Sequence, residues 1–186
     1  MDRIAFNKTV GEAIQEFYDV NDFGEDGGIN NKLAWIKFGF FSIPIPNFDS
    51  RKNNVYLHDI HHIITGNNTS WRGESAVSAW EIASGGWGKL IIPWLLTLWA
   101  MGLGVLFYNK STLKAFENGL TMRNALTCGI KKIDITKLTV AEIRVKVSNQ
   151  IDTNKSPILW SIISLIIFFL PFVLGLMLLV SIVNLF

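Results

Sequence analysis

Asn54-Val55-Tyr56-Leu57-His58-Asp59-Ile60-His61-His62-Ile63-Ile64-Thr65-Gly66-Asn67-Asn68-Thr69-Ser70-Trp71-Arg72-Gly73-Glu74 is the stretch whose reading decides the fold. It reads as a helix from about Asn54 to Thr65 that stops at Gly66. A turn comes next through Asn67-Asn68-Thr69-Ser70, and then a helix from about Trp71 to Ser84, closed by Gly85-Gly86. All three histidines of the chain lie in the first of these helices, within five positions, and Glu74 follows His62 after eleven residues. Imidazole and carboxylate are the donors that hold zinc or non-haem iron, so the hairpin is a candidate metal site.

Successive helical residues turn by about 100°. His58 and His62 therefore fall within about 40° of each other, one turn apart, where both can grip one ion. Asp59 and His61 flank that pair on opposite sides, so one ion can hardly use both, and periodicity does not choose between them. Glu74 arrives from the next helix through the reversal at Gly66–Thr69. Two histidines with one or two carboxylates suit Zn2+ or Fe2+ and leave room for water or substrate. Glu81 lies two turns beyond Glu74 on the same face. It reads equally well as a base behind the metal or as a solvated charge.

Working outward, the rest of the chain is also helical. Thr9-Val10-Gly11-Glu12 is a capping box that opens a helix with Val10, Ile14, Phe17 and Tyr18 on one side. The segment Asn21–Asn54 is rich in Gly and Pro and reads as a long ordered loop, with a short extended piece around Trp35–Phe41. Ser111–Cys128 reads as a helix ended by Gly129. Thr139-Val140-Ala141-Glu142 is a second capping box, opening a helix to about Val147.

Two stretches carry no charge. Leu90–Tyr108, nineteen residues, is long enough by itself to cross a bilayer, although Pro93 and its aromatic residues suit an interfacial or buried helix equally. Pro157–Phe186 has thirty residues, and Pro171 splits it into a run of thirteen from Ile158 and a run of fifteen to Phe186. Neither run crosses alone, so the segment reads as a single kinked or tilted membrane anchor, with a re-entrant hairpin as second choice. The expected architecture is an all-α, compact helical domain over 1–156 with a hydrophobic C-terminal membrane segment over 157–186.

Composition narrows the function. Residues 1–89 hold eight Lys/Arg against eleven Asp/Glu, whereas 109–156 hold nine against four. A basic stretch just ahead of the apolar run places the folded domain on the cytoplasmic side of the cytoplasmic (inner) membrane. No nucleic-acid motif accompanies that charge, so no nucleic-acid partner is expected. The single Cys128 excludes an internal disulfide and a Cys-rich zinc cage, and it reads as a small buried residue. Ile4, Ala5 and Phe6, hemmed in by polar neighbours, do not read as a secretory signal. Three histidines are too few for the membrane desaturases and hydroxylases. None precedes His58, as the His-Asp phosphohydrolases require, and His58-Asp59-x-x-His62 is not a zincin motif.

The spacing His58-Asp59-x-x-His62, eleven residues, then Glu74 resembles the signature of the coenzyme Q (ubiquinone) biosynthesis protein 4 family. Thr65-Gly66, Gly73-Glu74, Phe116-Glu117-Asn118-Gly119 with Arg123, and Leu138-Thr139-Val140-Ala141-Glu142-Ile143-Arg144 are similar to that family as well. The resemblance covers roughly residues 10–147 and does not extend to Pro157–Phe186. It implies an all-helical fold on a membrane, metal ligands at His58, Asp59, His62 and Glu74 for an ion usually described as zinc, and an apolar cavity for a polyprenylated quinone precursor. It thereby favours Asp59 over His61. It also implies that Leu90–Tyr108 cannot fully span, since spanning would separate the metal motif from Gly119–Arg144. That helix would instead be buried or dip into the membrane and line the cavity, with Trp87, Trp94 and Trp99 either interfacial or core.

Three functions arise as expectations. One is a metal-dependent enzyme that oxidatively decarboxylates the precursor's aromatic ring, with Asp59 as fourth ligand or base, Glu74 on the metal and Arg123 pairing with a substrate carboxylate. No nucleotide or flavin motif is present in the sequence, so its oxidant would be oxygen or another protein. The second is a lipid-binding scaffold that organises other quinone-biosynthesis enzymes. The third is a small membrane protein with an incidental histidine cluster.

Overall fold

The computed structural model describes residues 7–38, 41–47, 49–148 and 154–185. Ile4, Ala5 and Phe6, on which the reading of the N-terminus rests, lie outside them. Among the described residues there are eight helices and one two-stranded hairpin: α1 Val10–Asn21, β1 Leu33–Phe38, β2 Phe41–Pro46, α2 Asp49–Thr65, α3 Trp71–Ala83, α4 Ile91–Phe107, α5 Asn109–Gly119, α6 Lys132–Ile135, α7 Val140–Val147 and α8 Pro157–Val183. The expected helical domain with a long apolar C-terminal helix is what forms.

Helix α3 is the axis of the domain. From Gly73 to Ala83 every side chain is buried except Glu74, which is partly so. A helix covered on all sides has to be slim, and Gly73, Ser75, Ala76, Ser78, Ala79 and Ala83 make it so. Gly119 of α5 rests on the Trp80 carbonyl and Ala83, and Gly104 of α4 rests on Ser75. On one side Trp80 joins Val10, Ile14 and Phe17 of α1, Ile60 and Ile63 of α2, and Val140 and Ile143 of α7. On the other, Ala79, Ile82 and Ala83 pack with Leu98 and Met101 of α4 and Phe116 of α5.

The two capping boxes form as read and meet each other. Thr9 and Thr139 each accept from the N–H three residues on, and both glutamates reach back. The Val10 N–H donates to the Leu138 carbonyl (2.8 Å) and the Val140 N–H to the Lys8 carbonyl (2.9 Å), so the first turns of α1 and α7 lie side by side. Helix C-termini, which leave carbonyls without intrahelical donors, are closed by cations from later in the chain. Arg144 donates to the carbonyls of Ile63 and Ile64 at the end of α2, and Lys155 to those of Ile82 and Ala83 at the end of α3.

Three boundaries differ from the sequence reading. Helix α2 begins at Asp49, one turn before Asn54. The extended piece is a full antiparallel hairpin, Leu33 opposite Pro46 through Phe38 opposite Phe41, with Gly39 and Phe40 outside the described residues. The helix expected over Ser111–Cys128 ends at Gly119 instead. Asn124 accounts for this: its Oδ1 accepts from the N–H groups of Leu126 and Thr127, its amide donates to the Gly86 carbonyl, and its own N–H donates to Ser84. An Asn that engages nearby backbone in this way holds it out of helix. Cys128 is only partly buried.

Helix α8 runs unbroken through Pro171 for 27 residues, about 40 Å. It is a single helix, not a re-entrant hairpin, and is long and apolar enough to cross a membrane. Its first half lies along α4, with Trp160 stacked on Trp94 (5.6 Å between ring centres) and Ser164 and Phe168 against Gly102. Every side chain from Phe169 to Leu185 is exposed.

Candidate metal centre

The α2–α3 hairpin turns as the sequence requires. Gly66 takes a positive φ of 72° and its N–H returns to the His62 carbonyl. The Asn68 side chain accepts from the Ser70 N–H and hydroxyl, and the Ser70 hydroxyl caps the Gly73 N–H. Glu74 thus sits in the first turn of α3, where the helix dipole favours a negative charge.

That turn brings three of the expected ligands together. His58 Nε2 lies 3.1 Å from Glu74 Oε2, His62 Nε2 lies 3.4 Å from Glu74 Oε1, and the two Nε2 atoms are 3.2 Å apart. His62 Nδ1 donates to the Asn67 carbonyl (3.1 Å), which fixes its Nε2 as a bare lone pair. His58 Nδ1 faces Glu81 Oε1 at 2.7 Å and donates to it, so in the neutral ring Nε2 is the lone pair. Two imidazole lone pairs and a carboxylate pointed at one spot repel each other unless a cation sits among them. The ligand atoms of His58, His62 and Glu74 all fall within 4.8 Å of one another, so the donor set fits a metal ion.

Electrostatics say the same. Burial opposes a charge on His58, but Glu81 and Glu74 lift its proton affinity well above the ordinary histidine value. Burial likewise works to raise the carboxyls of Glu74 and Glu81, yet the histidines hold Glu74 far below the usual carboxylate range and Glu81 at about 2. A proton on His58 stands in for part of the positive charge that the anionic surroundings call for.

Asp59 and His61 go elsewhere. Asp59 is buried beside the triad and its Oδ2 accepts from the Tyr18 hydroxyl at 3.0 Å. Its carboxyl, outside the converging group, is pushed up by burial to about 6. His61 is fully buried between Trp80 and Trp87. Its Nε2 accepts from the Ala125 N–H, so its Nδ1 donates to Glu81 Oε1 at 2.6 Å. Glu81, which the sequence leaves between solvated charge and outer base, is completely buried and takes both histidine N–H groups on one oxygen. Tyr18 and the Asn67 carbonyl are parts of the centre that sequence reasoning misses. Tyr18 stands on the buried face of α1, but nothing in the sequence pairs it with Asp59.

The triad opens on a cavity of about 520 Å³. His58, Asp59, His62 and Glu74 line it together with further polar residues, among them Asn21, Asp22, Asn31 and Asn54, and Ile92, Leu96 and Trp99 bring α4 in as an apolar wall. Leu90–Tyr108 therefore lines the cavity, as expected of it. Trp99 touches Trp71, one turn before Glu74 (5.8 Å), and Phe168 of α8 (5.3 Å), so an aromatic path joins the cavity to the long apolar helix. Arg123 is not on the cavity wall. It lies in the connection after α5, where its N–H donates to the Val147 carbonyl.

Gly73 is held to its identity by the turn, because a Cβ there would drive into the Asn68 carbonyl. Gly→Ala inside a helix ordinarily stabilises by about 1 kcal/mol. Gly73→Ala should instead cost about 1–3 kcal/mol and shift Glu74 off the histidines, lowering metal affinity about tenfold or more. Thermal unfolding and metal retained after dialysis against a chelator check both parts.

No family model, no curated protein and no solved structure matches this chain.

Proposed function

We propose that this chain is a membrane-anchored, divalent-metal protein of quinone biosynthesis, of the coenzyme Q biosynthesis protein 4 type, acting on a polyprenylated aromatic lipid. The observation that carries the reading is the juncture of the His58–His62–Glu74 triad with an apolar cavity whose wall, α4, packs against α8. A ligand suited to both ends has one anionic oxygen-bearing ring and a long apolar tail. Two imidazoles and a carboxylate favour Zn2+ or Fe2+. The side facing the cavity is where a phenolate or carboxylate oxygen would add to the set.

In the catalytic form of this reading, an ion held by His58, His62 and Glu74 would supply Lewis-acid polarisation of that ring oxygen. The chain does the rest. Glu74 and the two histidines fix the position of the ring, and Ile92, Leu96 and Trp99 exclude water from its tail. Asp59, buried beside the triad and hydrogen-bonded to Tyr18, is the carboxyl nearest the ring to hold or release a proton. Oxidative loss of the ring carboxyl also needs a two-electron acceptor, either dioxygen or a partner protein. The exposed half of α8 is proposed as the anchor in the cytoplasmic membrane, with the domain on the cytoplasmic side.

The test is the lipid that accompanies the detergent-purified protein, extracted and identified by mass spectrometry. A polyprenylated aromatic acid near one per chain is expected, and Leu96→Trp, which fills the cavity, should lower it about tenfold. Ordinary phospholipid alone in both proteins would sink the reading. Release of labelled carbon dioxide from a carboxyl-labelled precursor separates the enzyme from the scaffold, which binds the lipid without consuming it.

A further inference from the structure

Glu81 is a charged side chain at 0% exposure whose Oε2 has no hydrogen-bond partner among the described residues. Its other oxygen, Oε1, accepts from His58 at 2.7 Å and His61 at 2.6 Å. Leaving one oxygen of a buried carboxylate without a donor is expensive unless a positive charge stands close by. Across the His58 ring from Glu81 is the spot on which His58, His62 and Glu74 converge. His58 and His62 are neutral as ligands, so Glu74 is the one charged member of the triad. Glu81 adds a buried negative charge behind His58, through the imidazole it grips.

His61 explains why Glu81 stays in place. The Ala125 N–H occupies His61 Nε2, so the ring has only its Nδ1–H to offer, and that proton points at Glu81 Oε1. His61, wedged between Trp80 and Trp87, is a rigid strut for the carboxylate. Carboxylates placed behind a metal-bound histidine fix its tautomer and strengthen it as a donor.

We propose that Glu81 is the positioning residue of the metal centre: it locks His58 with Nε2 toward the ion and sets a buried negative charge behind it, with His61 as its brace. This inference rests on the metal reading given above but not on the identity of the lipid. Glu81→Gln is the informative variant. Its amide oxygen can take the place of Oε1 and keep both histidine bonds, with the NH2 in the place of Oε2, so it removes the charge and little else. Glu81→Leu removes the charge and both bonds.

The probe is cobalt(II) added to the metal-stripped full-length protein in detergent, with affinity, visible ligand-field spectrum and thermal unfolding as readouts. Affinity should fall about 10- to 100-fold in Glu81→Gln, further in Glu81→Leu, and the Co2+ bands should move in both. Unchanged affinity and bands in both variants, with only the unfolding temperature altered, would make Glu81 a packing residue and overturn this inference alone. A wild-type protein that binds no cobalt would overturn the metal centre and this role with it.

Discussion

His62→Ala should leave a folded protein that no longer retains a metal ion. Wild-type protein is expected to carry about one divalent ion per chain, and the variant almost none, measured by elemental mass spectrometry on detergent-purified samples. His62 is the ligand whose removal is hardest to repair. Its ring is 1% exposed, stacked on Phe17 and tied to the Asn67 carbonyl, and among the described residues no imidazole beyond its fellow ligand His58 reaches the same spot. His61 cannot swing in, because Glu81 and Ala125 hold both its nitrogens.

The same substitution separates a bound ion from a packed histidine. A ligand held at about a thousand times its Kd stabilises the native state by about 4 kcal/mol. For a chain of this size that corresponds to about 8–16 °C in Tm. Adding a chelator should produce that drop in wild type and none in His62→Ala. An equal Tm with and without chelator in the wild type would mean that the cluster is a polar core feature, the incidental reading of the sequence.

Much of this is legible in the sequence, for a definite reason. Helical period alone puts His58 and His62 on one face, and Gly66 with Asn68 and Ser70 writes a turn tight enough to return Glu74. Both paired capping boxes are local signals, and they form where they are read. Period gives a direction, however, and not a partner. It places Asp59 and His61 on either side of the pair, but their fates are set by Tyr18, forty-one residues away, and Ala125, sixty-four away. Glu81 resembles a surface charge because helices usually show carboxylates to water. Only the burial of α3 on every side, visible in its run of small residues, removes that option. The end of α5 escapes the sequence for a similar reason, since the bonds that Asn124 makes to Ser84 and Gly86 are non-local.

Gly102→Leu should be the most damaging change outside the metal centre. At that point α4 and α8 approach so closely that a Cβ would collide with the Ser164 carbonyl and Phe168. Neither neighbour can yield cheaply: one is helix backbone, and the other is part of the aromatic path through Trp99. Overpacking of this kind costs about 3 kcal/mol, or about 6–12 °C in Tm. Gly175→Leu is the matched control, since nothing lies within 4 Å of a Cβ on the exposed half of α8. It should be neutral or slightly stabilising, because leucine is the better helix former. The contact of Gly102 with Ser164 and Phe168, set against the open space around Gly175, therefore divides α8 into a half that belongs to the domain and a half that does not. Because α2 and α3 hold the triad without help from α8, Gly102→Leu should keep its metal while losing stability and bound lipid. Loss of metal together with lipid would mean that the apolar helix and the metal centre fold as one unit, and the aromatic path would then be part of the scaffold and not a route for a tail.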